Sequence, residues 1–200
     1  MGENICVYCS SSDAIAADFF EAAEELGALL ARRKKVLVYG GGRLGLMGAL
    51  ARAVHQNGGR VVGVIPEALL PQVYEPADAM VVTRDMRERK AVMESRADAF
   101  IGLPGGFGTL EEVLETLTLK QLHFHEKPIV LINVRGFYDR LLDLFEYIYA
   151  ERFARPEFRH LYHVAHNPAE ALDYIETYRP VSLPRKWTGD DGGDPSGRGR

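Results

Sequence analysis

Two hundred residues are enough for one domain with a sizeable core, and a chain 46% apolar and 26% charged is ordinary for a globular protein. A formal charge of -4 without a long basic run argues against nucleic acid as a partner. No stretch approaches the roughly 20 apolar residues that cross a bilayer. The N-terminus MGENICVYCSSS also lacks a leader's basic and apolar segments, so a cytoplasmic chain without membrane contact is expected.

The first apolar run, NICVYC at 4–9, reads as a strand. Over 15–33 apolar residues recur at helical spacing (Phe19, Ala22, Ala23, Leu26, Leu29, Leu30). KVLVYGGG at 35–42 is a second strand running into glycines, and 44–57 a helix stopped by Gly58 and Gly59. RVVGVIP at 60–66 is a third strand and 79–83 a short fourth. A helix over 86–95, a strand over 97–103, a helix over 110–125, the strand KPIVLIN at 127–133 and a helix over 136–150 follow. A last strand is expected at 162–165, then a helix over 168–178 with Pro168 at its first position. Strands apolar throughout, separated by helices, imply a parallel sheet covered on both faces. The expected fold is therefore a doubly wound, Rossmann-like α/β domain over 1–182, with ligands beyond the carboxyl ends of the strands. The remainder, 183–200, is rich in glycine, proline and charge and is expected to be disordered. Cys6 and Cys9, three apart on a strand, point to opposite faces and read as buried free thiols rather than a disulfide.

Three turns rich in glycine or serine follow strands and should share one edge of the sheet: CSSSD at 9–13, GGGRLGLMG at 40–48 and PGGFGT at 104–109. Glycine lets backbone N–H groups approach a ligand, and a following helix adds free donors and a positive dipole end. Together they make an anion site, in which Gly105, Gly106, Gly108 and Thr109 would wrap a phosphate. The loop lacks the lysine of a Walker motif. Gly40, Gly42 and Gly45 imitate a dinucleotide fingerprint, but the acidic residue expected about 20 positions later is missing. Behind PGGFGT stand Glu111 and Glu112. The spacing Thr109–Glu112 matches a capping box, which would fold Glu112 back onto its own helix end. In the other reading Glu112 faces the cleft, and a cation must offset its repulsion of phosphate. RDMRERKAVMESR at 84–96 offers one: Arg89, Val92, Met93 and Arg96 share a helical face, and Arg89 and Lys90 aim differently. An ordinary solvated charged face is the alternative there.

PGGFGTLEE, the Arg89-Lys90 pair and YGGGRLGLMG resemble the LOG family of cytokinin riboside 5'-monophosphate phosphoribohydrolases, long labelled lysine decarboxylases. The pattern PGGxGTxxE is met at 104–112 without a mismatch, and the resemblance runs from about residue 5 to residue 178. It implies hydrolysis of the N-glycosidic bond of AMP or an N6-modified AMP to free base and ribose 5-phosphate. By the same resemblance Arg89 and Glu112 are catalytic, and Gly106, Gly108 and Thr109 hold the 5'-phosphate. Lys90, Glu111 and Thr118 complete the substrate pocket, lined also by Ser11 and Ser12 of the 10–12 turn and by Gly41 and Gly42. No metal or other cofactor is implied. A homodimer is, with the apolar helices over 110–125 and 137–150 as candidate twofold contacts. Two departures stand out. The family's CGSS is CSSS here, with Ser10 for glycine, and a family glutamate has only Glu67 or Glu75 as counterpart.

Three other chemistries compete. A pyridoxal-dependent decarboxylase needs a lysine in the cleft, and only Lys90 and Lys120 fall near it. A non-catalytic carrier of a nucleotide or phosphorylated cofactor would share the fold without needing both Arg89 and Glu112. His160, His163 and His166 recur every third residue but would alternate faces on a strand, against metal binding. His123 and His125 read as surface residues at a helix end.

Overall fold

The computed structural model describes residues 4–184; positions 185–200, most of the stretch expected to be disordered, lie outside the described residues. Among the described residues seven strands form one sheet: β1 (Asn4–Tyr8), β2 (Val36–Tyr39), β3 (Arg60–Pro66), β4 (Ala79–Thr83), β5 (Ala99–Gly102), β6 (Ile129–Ile132) and β7 (His163–Ala165). Their order is β4-β3-β2-β1-β5-β6-β7, and every pairing is parallel. Between them run α1 (Ala17–Arg32), α2 (Gly45–Gln56), α3 (Met86–Arg96), α4 (Phe107–Gln121) and α5 (Asp139–Ala150), with α6 (Pro168–Thr177) after β7.

The period-two alternation of each strand sorts the core into two layers. Ile5, Val7, Leu37 and Val61 pack with Leu26 and Leu30 of α1, Leu50 and Val54 of α2 and Leu172 of α6. Cys6, Tyr8, Val38 and Val64 pack on the other face with Met93 of α3, Val113 and Leu117 of α4 and Phe145 of α5. Both faces of the central strands are thus dry, which is why the strands read as unbroken apolar runs. Each fully buried leucine contributes about 1.5–3 kcal/mol, so this double layer is the main stabilising term. Cys6 and Cys9 fall in opposite layers as free thiols, as their spacing implies. Gly58, with φ of 72°, supplies the left-handed stop after α2.

The chain leaves β1 toward β2, β3 and β4, then crosses back to β5 on the other side of β1. The loops after β1 and β5 therefore diverge, and a crevice opens at their carboxyl ends. The segment between β3 and β4 covers the loop after β2. Gly42 and Val73 form an antiparallel bridge, and Arg43 N donates to Gln72 O and Tyr74 N to Gly41 O, both at 2.9 Å. His55 anchors this cover, with Nδ1 3.1 Å from Tyr74 Oη and Nε2 3.0 Å from Asp78 Oδ2.

Several boundaries differ from expectation. α4 begins at Phe107, not near residue 110, and ends at Gln121. α5 begins at Asp139, because a 3-10 turn at Val134–Gly136 and Gly136 with φ of 70° precede it. Arg96 is exposed rather than aligned with buried Arg89 and Met93. His125 is half-buried and not a free surface residue: Nε2 lies 3.2 Å from Thr116 O and the ring packs on Phe100. Burial pushes it down to about 4, so it is neutral at pH 7.

Candidate active site

A cleft of about 370 Å³ occupies the crevice at the ends of β1, β2 and β5. It contains Ser10, Ser11 and Ser12 from the turn after β1, Gly40 and Gly42 from the loop after β2, and Gly106, Gly108 and Thr109 from the start of α4. Arg89 and Glu112 also line it. The three glycine or serine turns therefore meet, as the strand pattern implies.

The glycines of PGGFGT have distinct reasons. A Cβ on Gly105 would strike the Thr109 hydroxyl, so Gly105 makes room for that side chain, which lines the cleft while Gly105 itself does not. A Cβ on Gly106 or Gly108 would meet nothing within 4 Å. Packing within the chain does not require glycine at those two positions, and the absence of side chains leaves their backbone open to the cleft. Gly106 is the N-cap of α4, provides no side-chain cap, and no acidic residue falls in the first turn. The free N–H groups and positive end of the helix dipole are thus left facing the cleft, an arrangement suited to a phosphate.

The same helix start overturns the capping box. With the N-cap at Gly106, Thr109 lies inside the helix and Glu112 nearly a turn further on. Glu112 is buried and accepts a 2.6 Å hydrogen bond from Arg89 Nη1. Arg89 Nε donates to Val64 O at 3.0 Å, tying α3 to the end of β3. Burial raises the Glu112 carboxyl above its ordinary range, and the Arg89 charge and hydrogen bond pull it partly back. The outcome is a dry carboxylate beside a fixed guanidinium, inside a cleft that also holds a helix end suited to an anion.

The serine turn is built from its own side chains. Ser10 Oγ accepts from Ser12 N at 3.0 Å and Ser12 Oγ accepts from Ala14 N at 3.2 Å. Both hydroxyl hydrogens stay free to donate to a ligand. Asp13, which the sequence pattern did not single out, accepts from Gly45 N at 2.9 Å and fastens this turn to the start of α2. Tyr8 was also missed. It lines the cleft, lies 3.1 Å from Thr116 Oγ1, and through Thr116, which donates to Glu112 O at 2.9 Å, braces the turn of α4 that carries Glu112. The apolar side of the cleft is Met47, Ile65, Leu69, Met86 and Met93, a surface fit for a flat base. Cys9 reaches the cleft too, but burial pushes its thiol up, which removes it as a nucleophile.

Other expected site residues lie elsewhere. Gly41, with φ of 74°, does not line the cleft; a Cβ there would lie against Ile65 and Met80. Lys90 pairs with Glu111 and with Glu115, at 2.8 Å for the latter, on the flank between α3 and α4. Thr118 Oγ1 donates to Leu114 O at 2.8 Å on the exposed face of α4. Neither Glu67 nor Glu75 lines the cleft; Leu69 and Gln72 of that segment do. Lys120 is buried, donates to Leu161 O at 2.9 Å and is lowered by burial to about 8. It stands eleven positions after Thr109, roughly 16 Å along the helix, so it cannot serve a cofactor in this cleft. His163 stacks on Tyr174, with ring centroids 4.1 Å apart.

Comparison with known proteins places this geometry in context. A family model described as "Possible lysine decarboxylase" matches residues 47–175. The cytokinin riboside 5'-monophosphate phosphoribohydrolase LOG of Oryza sativa subsp. japonica is 46% identical over 178 residues, 88% of this chain and 74% of that protein. The phosphoribohydrolase LOG5 of Arabidopsis thaliana is 41% identical over 182 residues, 90% of this chain and 80% of its own. Among solved structures, the molybdenum cofactor carrier protein of Chlamydomonas reinhardtii superposes with a TM-score of 0.69 at 24% identity, over 88% of this chain and 97% of that one. At that identity the likeness speaks to fold alone.

Proposed function

The chain belongs to the LOG family of cytokinin riboside 5'-monophosphate phosphoribohydrolases, and on that premise we propose that it hydrolyses the N-glycosidic bond of AMP or an N6-modified AMP. The products are free base and ribose 5-phosphate. One observation carries the reading: Glu112, buried and 2.6 Å from Arg89, shares a cleft with the open glycine start of α4. A carrier needs the phosphate grip but has no use for a desolvated carboxylate beside it.

In this mechanism the N–H groups at Gly106, Phe107 and Gly108, with the Thr109 hydroxyl, hold the 5'-phosphate. Serines 10–12 and Gly42 line the opposite wall, and the base lies against the methionine side. Bond cleavage leaves positive charge on the ribosyl ring, as in glycoside hydrolysis generally. Glu112 stabilises that charge and orients the attacking water, whose hydroxyl ends on the anomeric carbon while its proton goes to the departing base, which keeps the electron pair of the broken bond. Arg89 keeps Glu112 ionised and aimed. Phosphate binding, remote from the breaking bond, positions the ribose. No step calls for a metal or redox cofactor. The enzyme is proposed to act in the cytoplasm as a homodimer, with two free thiols suited to a reducing compartment.

The test is base release from AMP and N6-isopentenyl-AMP beside adenosine. Both monophosphates should be cleaved and adenosine scarcely at all. Glu112→Gln should lower kcat by about 100-fold or more, with nucleotide affinity within about threefold. Ordinary turnover by that variant removes the role given to Glu112, and equal cleavage of adenosine removes the phosphate anchor.

A further inference from the structure

We infer that Gly40 is a positioning residue for catalysis: its missing side chain forms the socket that holds Arg89 against Glu112. The inference rests on the proposed hydrolysis and extends it to a residue outside the PGGFGTLEE stretch.

Gly40 lies just past the end of β2 and lines the cleft. Its φ is not left-handed, so backbone conformation does not demand glycine there. Space does. A Cβ on Gly40 would collide with Arg89 Nη2 and lie 3.2 Å from its Cζ and 2.9 Å from Met47 Sδ. Met47 is an unbranched, adaptable side chain and can give way. Arg89 can move only by breaking what fixes it, the Nε bond to Val64 O at 3.0 Å and the Nη1 bond to Glu112 at 2.6 Å. The guanidinium is thus clamped on three sides by the ends of β2 and β3 and by α4. A methyl group at position 40 can be absorbed by the fold, since the nearest obstacle is the end of a long side chain, but only by displacing the cation from its carboxylate.

The charge consequence follows from what surrounds Glu112. Facing it are Arg89 and Lys90 of α3, Glu111 of its own helix, Tyr8 and Cys6 of β1, and Cys9 just beyond. Arg89 is the principal group stabilising the carboxylate. Moving it away leaves burial less opposed, so the carboxyl should hold its proton to higher pH.

The experiment is a double-mutant cycle on Gly40→Ala and Arg89→Lys, with kcat, KM, the pH profile and the Glu112 carboxyl titration followed by isotope-edited infrared or NMR spectroscopy. Gly40→Ala alone should lower kcat about 100-fold, the scale of a displaced catalytic group, with KM for AMP within about threefold. Its carboxyl titration should move to higher pH. In the Arg89→Lys background, where Nη2 is gone, adding Gly40→Ala should cost less than about threefold, because the two changes act through one contact. If Gly40→Ala alone fails to fold, the double variant should restore folding. Losses that multiply, an unmoved carboxyl titration, or a double variant that still does not fold each overturn the inference. If wild-type protein releases no base, the hydrolase reading fails, while the titration still decides whether Gly40 seats Arg89.

Discussion

At the scale of single residues, the Arg89–Glu112 pair poses an energetic problem. Removing a carboxylate and a guanidinium from water costs several kcal/mol per ion, and such a pair is seldom a net source of stability. Its place in a cleft beside an uncapped helix N-terminus makes function the better account of why it is tolerated. A pH prediction follows. In the proposed mechanism Glu112 acts ionised, and its folded-state carboxyl sits above the ordinary 4.5 because burial outweighs Arg89. Activity is therefore full above that raised value and lost as pH falls through it, so the acid limb of kcat/KM against pH should lie above 4.5. A limb at or below the ordinary glutamate value would contradict the burial argument. At the phosphate end, Thr109→Val keeps the side-chain shape and removes the hydroxyl donor. It should raise KM for AMP by about tenfold, the scale of one hydrogen bond to a charged group, with kcat changed little. Gly106, Gly108 and Glu112 were legible as candidates because glycines before a helix and a following acid carry chemistry in their types alone. Gly40 stood in one of the glycine turns, but its reason for being glycine is an arginine far along the chain that no local pattern reveals.

Among the elements, α4 shows how a correct motif can be placed on a wrong boundary. Thr109 and Glu112 have capping-box spacing, and Gly106 and Gly108 are poor helix formers, so sequence favours a later start. The fold starts the helix at Phe107 because the loop after β5 is already held. Tyr138, fully buried at the entrance to α5, donates its hydroxyl to Leu103 O at 2.7 Å, directly before PGGFGT. Its own N–H is taken by Asn133 Oδ1 at 2.7 Å. β5 therefore ends in a fixed direction, and the glycines become the first turn instead of a flexible approach. Tyr138→Phe leaves the Leu103 carbonyl buried without that partner and should cost about 1–3 kcal/mol, measured by urea unfolding. KM for AMP should rise as the cradle loosens. Unchanged stability and KM together would show that the loop holds itself. Ser10 offers a smaller lesson. At the position where it departs from the CGSS pattern, its hydroxyl oxygen accepts from Ser12 N and so caps its own turn.

For the whole molecule, fold class was legible because buried parallel strands must be apolar throughout and the intervening helices amphipathic. Strand order was not, since nothing local says that β5 returns beside β1; yet that crossing creates the cleft. The outer surface of α4 and α5 carries the remaining information. Phe107, Leu114, Leu122, Leu144 and Tyr147 are exposed there, and an apolar groove of about 130 Å³ runs between Leu114, Leu117, Phe145 and Ile148. Phe107, Leu114, Leu122, Leu144 and Tyr147 belong to neither core layer, and a twofold contact burying the same patch on two copies would account for them. Thr118 stands on this face, so its expected role in a substrate pocket would have to be played across the subunit contact. Leu114→Arg places a charge in the middle of the patch without touching the Arg89–Glu112 pair. Light scattering on the wild type should give twice the chain mass, and on Leu114→Arg the mass of one chain at micromolar concentration. If Thr118 contributes across the contact, the monomeric variant should also show a raised KM for AMP. A variant that stays dimeric would move the twofold axis to another face and leave Thr118 without a part in binding.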